Sequence, residues 1–271
     1  MSESIALSVV AMDERLGCPH VPPKFEGHWF GTFDPTVGKA AAVALATFRR
    51  LVAGDIRYVL VTGPVGCGKS HLAASACNEA ASPLQGAVMA AEAEMAGIDA
   101  EARSFRESVR ASYTGVPDEA RSIEFYRTEK ELGRRRDRAA EGVRLTEYAL
   151  ERRCPVWVSV PVLLGRMRRE MNSTDRGSSH DVEEAMDTRG ILVLDDLGSE
   201  KASEWTAAAL FEIVSARYDH QLPIVVTSNL TASQLDAAGY GRIVSRLQDE
   251  GCLVEMASAS DYRARLRRPA R

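Results

Sequence analysis

Gly63-Pro64-Val65-Gly66-Cys67-Gly68-Lys69-Ser70 is the stretch on which the reading of this chain turns. It has the spacing of a phosphate-binding loop, and it follows directly on an apolar run, Tyr58 to Val61, that reads as a buried strand. Gly63, Gly66 and Gly68 let backbone N–H groups turn toward a polyphosphate, Lys69 supplies a point charge, and Ser70 offers a hydroxyl to Mg²⁺. The Ala-rich stretch from His71 to Ala80 reads as the helix whose N-terminus faces that anion. Strand, loop and helix come in the order the chemistry needs, which sets this loop apart from a chance glycine turn.

Working outward, the alternation of strand and helix resumes at Pro155. Val156 to Val160 reads as a strand, Pro161 to Met171 as a helix and Ile191 to Leu194 as a strand. Trp205 to Tyr218 reads as a helix, with Ile224 to Thr227 and Cys252 to Met256 as the last two strands. Short apolar strands separated by helices imply an α/β fold, a parallel sheet covered on both faces, whose ligands bind at the carboxyl ends of the strands. Upstream, Thr36 to Ala53 has helical spacing and Gly54 stops it, while residues 1–35, with Pro19, Pro22, Pro23 and Pro35, read as an irregular arm. Between the two halves of the core, residues 81–153 are rich in Ala, Glu and Arg and broken once at Gly115-Val116-Pro117, as in a helical hairpin. The expected organisation is an arm (1–35), a first core part (36–80), a helical insertion (81–153) and a second core part (154–271).

With 271 residues, 45% of them hydrophobic, the chain has enough apolar material for a sizeable core. A net charge of -4 gives no global basic field, so contact with nucleic acid has to come from a local patch. One such run, Arg134 to Arg138, fits either a phosphate contact or a solvated face. Five scattered cysteines suit a reducing compartment, and neither a signal segment nor a membrane-length apolar run is present, so the expectation is a soluble cytoplasmic protein. Cys18, His20 and His28 offer three metal-ligand types in the arm, one short of a closed zinc site.

Ile191-Leu192-Val193-Leu194-Asp195-Asp196 is an apolar strand that delivers two carboxylates, as a buried strand does when it presents an acid to Mg²⁺ and its waters. Asp195 is the expected metal partner together with Ser70, and Asp196 the group that polarises an attacking water. A second strand ends in Ser228-Asn229, where Asn229 has the chemistry to bond a terminal phosphate or that water. Arg242 and Arg246 stand four apart on one helical face, able to serve their own site or a neighbour's.

These segments together resemble a family. The loop with its tail Lys69-Ser70-His71-Leu72-Ala73, the run Leu192 to Gly198, Val226-Thr227-Ser228-Asn229-Leu230 and Arg242 to Leu247 are similar to the AAA+ ATPases of the helicase-loader (DnaC/DnaI) and IstB transposition-helper group. The resemblance covers most of residues 25–80 and 155–266 and leaves out the insertion. It implies a P-loop (AAA+/ASCE) sheet without a C-terminal lid. It also implies an ATP site of Gly63, Pro64, Val65, Gly66, Cys67, Gly68, Lys69, Ser70 and His71, with Lys69, Asp196 and Asn229 in catalysis. Arg246 becomes a finger acting on a neighbouring subunit and Arg263 a second nucleotide sensor. Arg166, Arg168 and Arg169, on the helix after the second strand, become DNA contacts.

The function implied is a Mg²⁺-dependent ATPase that assembles as a ring or spiral homo-oligomer, hexameric in expectation, and loads a replicative helicase onto DNA, single-stranded in expectation. A transposition helper that delivers a transposase shares every ATPase residue, and an ATP-switched scaffold without hydrolysis is a third reading. Asp196 stands where glutamate is commoner, and one methylene less draws the carboxylate back from the water, so slow hydrolysis is expected. The family's separate N-terminal partner-binding domain has little room before residue 58, which makes the insertion the candidate for that role.

Overall fold

The computed structural model describes residues 16–112, 115, 119–172 and 188–256. Contacts divide the chain into two units, one made of residues 1–82 and 152–271 and the other of 83–151.

The first unit is built on a five-stranded sheet of β1 (Tyr58–Thr62), β2 (Val156–Ser159), β3 (Leu192–Leu197), β4 (Ile224–Ser228) and β5 (Cys252–Glu255), in the order β2-β3-β4-β1-β5. Every pairing is parallel, with Tyr58 opposite Ile224, Val59 opposite Cys252 and Val156 opposite Leu192. Every residue of β1 and β4 is buried, as strands covered on both faces must be, which explains their unbroken apolar sequences. α1 (Lys39–Ala53) ends at Gly54, which takes the left-handed conformation that closes a helix (φ 84°). It begins three residues later than its periodicity suggests, because Pro35–Val37 forms a separate 3₁₀ turn and Gly38 is extended. The remaining helices of this unit are α4 (Val160–Asn172), α5 (Glu204–Asp219), α6 (Ala232–Leu235) and α7 (Gly241–Asp249). The core gathers Leu60, Val158, Leu163, Leu194, Leu210, Ile213, Val226, Ile243 and Leu247 around the sheet.

Because all strands run the same way, their carboxyl ends share one edge. Thr62, Ser159, Asp195 and Ser228 therefore come together without any long-range design beyond strand order. β3 runs three residues past its expected end at Leu194, and its pairing with β4 shifts register between Leu194 and Leu197. Within this bulge Asp196 adopts φ 69°, the left-handed region in which a short acid is among the tolerated residues.

The helix expected over His71–Ala80 does not stop there: α2 runs from Lys69 to Ala111 as one helix of 43 residues with Pro83 inside it. The composition changes near residue 81 but stays rich in helix formers, and the helix continues through Pro83 despite the lost N–H and the crowding of the carbonyl four residues earlier.

The second unit is the far part of α2 with α3 (Glu119–Arg153), reversing around Gly115 at φ 83°. Its buried core is thin, made of Ile98, Ala102, Leu132, Ala139 and Val143. Between its helices Arg106 donates two bonds to Glu129 at 2.9 Å each, Arg135 reaches Glu101 at 3.0 Å, and Arg136 reaches Asp99 at 2.8 Å. Phe105 stacks on Phe125 at 5.7 Å.

Candidate functional site

The loop after β1 is held to β4, where Gly63 N–H donates to the Ser228 carbonyl at 3.2 Å. Gly66 and Gly68 take φ values of 82° and 100°, and a Cβ at Gly68 would lie 2.8 Å from the Phe33 ring. Glycine is therefore required at Gly68 by conformation and by space. Lys69 is only 7% exposed. Its ammonium donates to the Gly63 carbonyl at 2.7 Å, the Pro64 carbonyl at 2.9 Å and Asn229 Oδ1 at 2.9 Å. Cys67 is buried beneath the loop, its sulfur 3.8 Å from the same ammonium.

From this point a chain of bonds crosses three strand ends. Asn229 Nδ2 donates to Asp196 Oδ1 at 2.7 Å. Thr227 Oγ1 donates to Asp195 Oδ1 at 2.7 Å and accepts from the Asp196 N–H at 2.9 Å, while Ser70 Oγ donates to Asp195 Oδ1 at 3.0 Å. Burial pushes the Asp195 carboxyl above its ordinary pKa, against the bonds from Thr227 and Ser70 that hold it down; the Asp196 charge adds to the rise. These groups open on a cleft of about 740 Å³. The loop, the buried lysine and the hydroxyl–carboxylate pair of Ser70 and Asp195 form a donor set that fits a polyphosphate with a hard divalent cation.

The opposite wall comes from the arm, which sequence reasoning left out of the site. Lys24, Phe25, His28, Thr32, Phe33, Asp34 and Val37 line the cleft, with Trp157 and Ser159 of β2. Asn78, buried on α2, fixes this wall at two places: its Oδ1 accepts from the Cys18 N–H at 2.8 Å, and its Nδ2 donates to the His28 carbonyl at 2.8 Å. The Cys18 thiol donates to the Pro155 carbonyl at 3.2 Å, and among the described residues no cluster of His, Cys, Asp or Glu is arranged to hold a metal. His71 packs against the same arm, its ring 4.3 Å from that of His28 and its Nε2 3.2 Å from Thr32 Oγ1. Burial first, then the neighbouring His28, draws the His71 pKa down to about 4, so the ring is neutral near pH 7 and brings no charge to an anion.

The expected residues thus fall into groups. Val65, Gly66, Cys67, Gly68, Lys69, Ser70, His71, Asp195, Asp196 and Asn229 all line the one cleft, and Gly63 and Pro64 border it through Lys69. Arg246 is not among its lining residues: it lies on α7, 3.5 Å from Asp219 and 5.0 Å from the Tyr218 ring, beside Arg242 stacked at 3.7 Å on Phe211. Of the three arginines of α4, Arg168 stacks at 4.9 Å on Trp205, and Arg168 and Arg169 are exposed. Arg263, and the segment that would have carried a lid, lie outside the described residues. Thr227 was missed as a site residue although it sits inside the Thr-Ser-Asn segment. A hydroxyl two residues before the asparagine, on a strand beside an acidic strand end, was the available signal.

No protein-family model matches the chain, and no curated protein matches it. Solved structures do share the fold. The crystal structure of the DnaC helicase loader superposes with a TM-score of 0.53 at 16% identity, over 86% of this chain and 99% of that one. The crystal structure of DnaI gives 0.51 at 16% identity, over 87% and 91%. The replication initiator DnaA bound to AMPPCP and single-stranded DNA gives 0.50 at 18% identity, over 87% of this chain and 50% of that one. The fold is that of the AAA+ helicase-loader structures.

Proposed function

We propose that this chain is an ATP-binding, Mg²⁺-dependent AAA+ ATPase that assembles as a ring or spiral on DNA, single-stranded by preference, and loads a replicative helicase. The observation that carries the reading is the unbroken chain of hydrogen bonds from Lys69 through Asn229 to Asp196, with Asp195 tied to Ser70 and Thr227 beside it. A loop cation, a metal-binding pair and a water-polarising acid converge there on one cleft. In such a site Lys69 and the loop N–H groups hold the phosphates, and Ser70 and Asp195 hold Mg²⁺ with Thr227 fixing the carboxylate. Mg²⁺, when bound, supplies neutralisation of phosphate charge. Asp196 takes the proton of the attacking water, and Asn229 positions both Asp196 and Lys69. Asp196 is short and already bonded to Asn229, which supports slow turnover. The arginines of α7 lie away from the chain's own cleft, which supports a role for Arg246 toward a neighbouring subunit. The likeness to a helicase loader and to an initiator bound to a nucleotide analogue and single-stranded DNA supports the choice of ligand and partner.

The test is mass photometry with ADP, ATP and a slowly hydrolysed analogue, with and without single-stranded DNA. Wild type assembles with triphosphate, and Lys69→Ala and Arg246→Ala remain monomeric, the first for lack of nucleotide and the second with nucleotide still bound. A wild type that is monomeric in every condition overturns the loader reading. Capture of a transposase in place of a helicase moves it to the transposition helper.

A further inference from the structure

Among the described residues lining the cleft only two carry lysine or arginine charge, Lys69 from the phosphate loop and Lys24 from the arm. They approach from different sides. Lys69 is bonded at the loop carbonyls and Asn229, whereas Lys24 lines the cleft from the arm. The placement of Lys24 is built rather than incidental. It is the middle residue of the 3₁₀ turn Pro23–Phe25, opened by a proline and closed by the Phe25 N–H to the Pro22 carbonyl at 2.8 Å. The next residue, Phe25, is buried and packs on Trp157 of β2 at 5.3 Å, and the Lys24 ammonium lies 4.7 Å from the Phe25 ring centre. The two bonds from Asn78 tie the segment on both sides of the turn, at Cys18 and His28. An exposed lysine on a free arm has no reason to stay at the cleft; this one is held there by a proline turn, an aromatic anchor and a doubly bonded asparagine.

We infer that Lys24 is a second phosphate-binding cation of the site, supplied by the arm, and that it discriminates a nucleoside triphosphate from a diphosphate. The inference rests on the nucleotide reading above. A diphosphate in the loop is served by the N–H groups and Lys69. A third phosphate adds negative charge beyond what the loop balances, and beside the Mg²⁺ that Ser70 and Asp195 would hold, Lys24 is the further side-chain cation lining the cleft. The Lys24 ammonium rests over the Phe25 ring on a flexible, exposed side chain, so turning it toward the cleft needs no rearrangement of the turn.

The experiment measures the affinity of the full chain for fluorescent ADP and for AMPPCP with Mg²⁺, in wild type, Lys24→Met and Lys24→Arg. Methionine keeps a long unbranched side chain at this position and removes the charge. Lys24→Met is expected to lose about tenfold in AMPPCP affinity with ADP changed by less than about twofold, and Lys24→Arg to stay within about threefold of wild type for both. Equal losses for both nucleotides would mean a merely structural turn, and unchanged affinities would mean a solvated lysine; either overturns the inference. Far-UV circular dichroism confirms that each variant is folded. Should Lys24→Met unfold, the AMPPCP-to-ADP ratio of a folded Lys24→Gln decides in the same way. A wild type that binds neither nucleotide refutes the nucleotide reading itself, a result distinct from failure of the Lys24 inference.

Discussion

Asp195 and Asp196 leave β3 into different surroundings. Asp195, half-buried, accepts from two hydroxyls, whereas Asp196 turns through a left-handed backbone to meet the amide of Asn229. Neighbours in sequence thereby acquire different partners, because the bulge in β3 aims their side chains apart. At His71 the surroundings act on stability. Its pKa falls to about 4 in the folded chain from an unfolded value near 6.5, so folding favours the neutral ring. That contribution is complete above about pH 6.5 and is lost as the pH falls through about 4. Unfolding free energies from urea titrations at pH 7 and pH 4.5 should fall by ~1–2 kcal/mol more in wild type than in His71→Asn, after allowance for the ring's partial exposure. Parallel losses in both proteins would refute it. The loop, both acids and Asn229 were legible in the sequence because each sits at a fixed offset from a strand end. Lys24 was not, since an irregular arm has no period and its place depends on Asn78, some fifty residues away.

At the scale of elements, the parallel strands were legible because they are short apolar runs bounded by turns. Their helices were legible where one face repeats. The end of α2 was not: residue 81 marks a change of composition, and no capping residue ends the helix there. One element depends on a residue with no sequence signal at all. Arg217 of α5, 1% exposed, donates to the Thr188 carbonyl at 2.8 Å, the Pro223 carbonyl at 2.8 Å and the Gly190 carbonyl. It thus ties the segment entering β3 to the segment entering β4. Burial lowers its pKa to about 10, which still leaves it charged at neutral pH. Gly190 takes part for want of space, since a Cβ there would run into the carbonyl oxygens of Arg153 and Cys154. Arg217→Met keeps most of the volume and strands three acceptors, so it should cost about 3 kcal/mol in urea unfolding, with nucleotide affinity intact in the folded variant. A loss under about 1 kcal/mol would show that water replaces the guanidinium.

For the molecule as a whole, the division into two units separates a sheet-bearing core from a hairpin with little core of its own. On α3, Ile123, Tyr126, Leu145 and Tyr148 stand exposed. Helical geometry puts them within an arc of roughly 100° on the side away from Leu132, Ala139 and Val143. Such a face supports the proposal that the hairpin carries partner recognition. Replacing residues 83–151 by a flexible Gly/Ser linker should leave nucleotide affinity within about twofold and abolish helicase capture in pull-down. Loss of nucleotide binding would instead make the hairpin part of the core. The order of strands also has a consequence for biosynthesis. β1 lies between β4 and β5, so the first strand made is the one whose neighbours, Ile224–Ser228 and Cys252–Glu255, are made last. At ordinary translation speeds its apolar Tyr58-Val59-Leu60-Val61 run waits roughly 10–40 s on the ribosome with no strand to pair with. This interior strand of the finished sheet is therefore the aggregation hazard of the nascent chain, and holdase chaperones that cover it in that interval should raise the soluble yield more than any change to the surface of the folded protein.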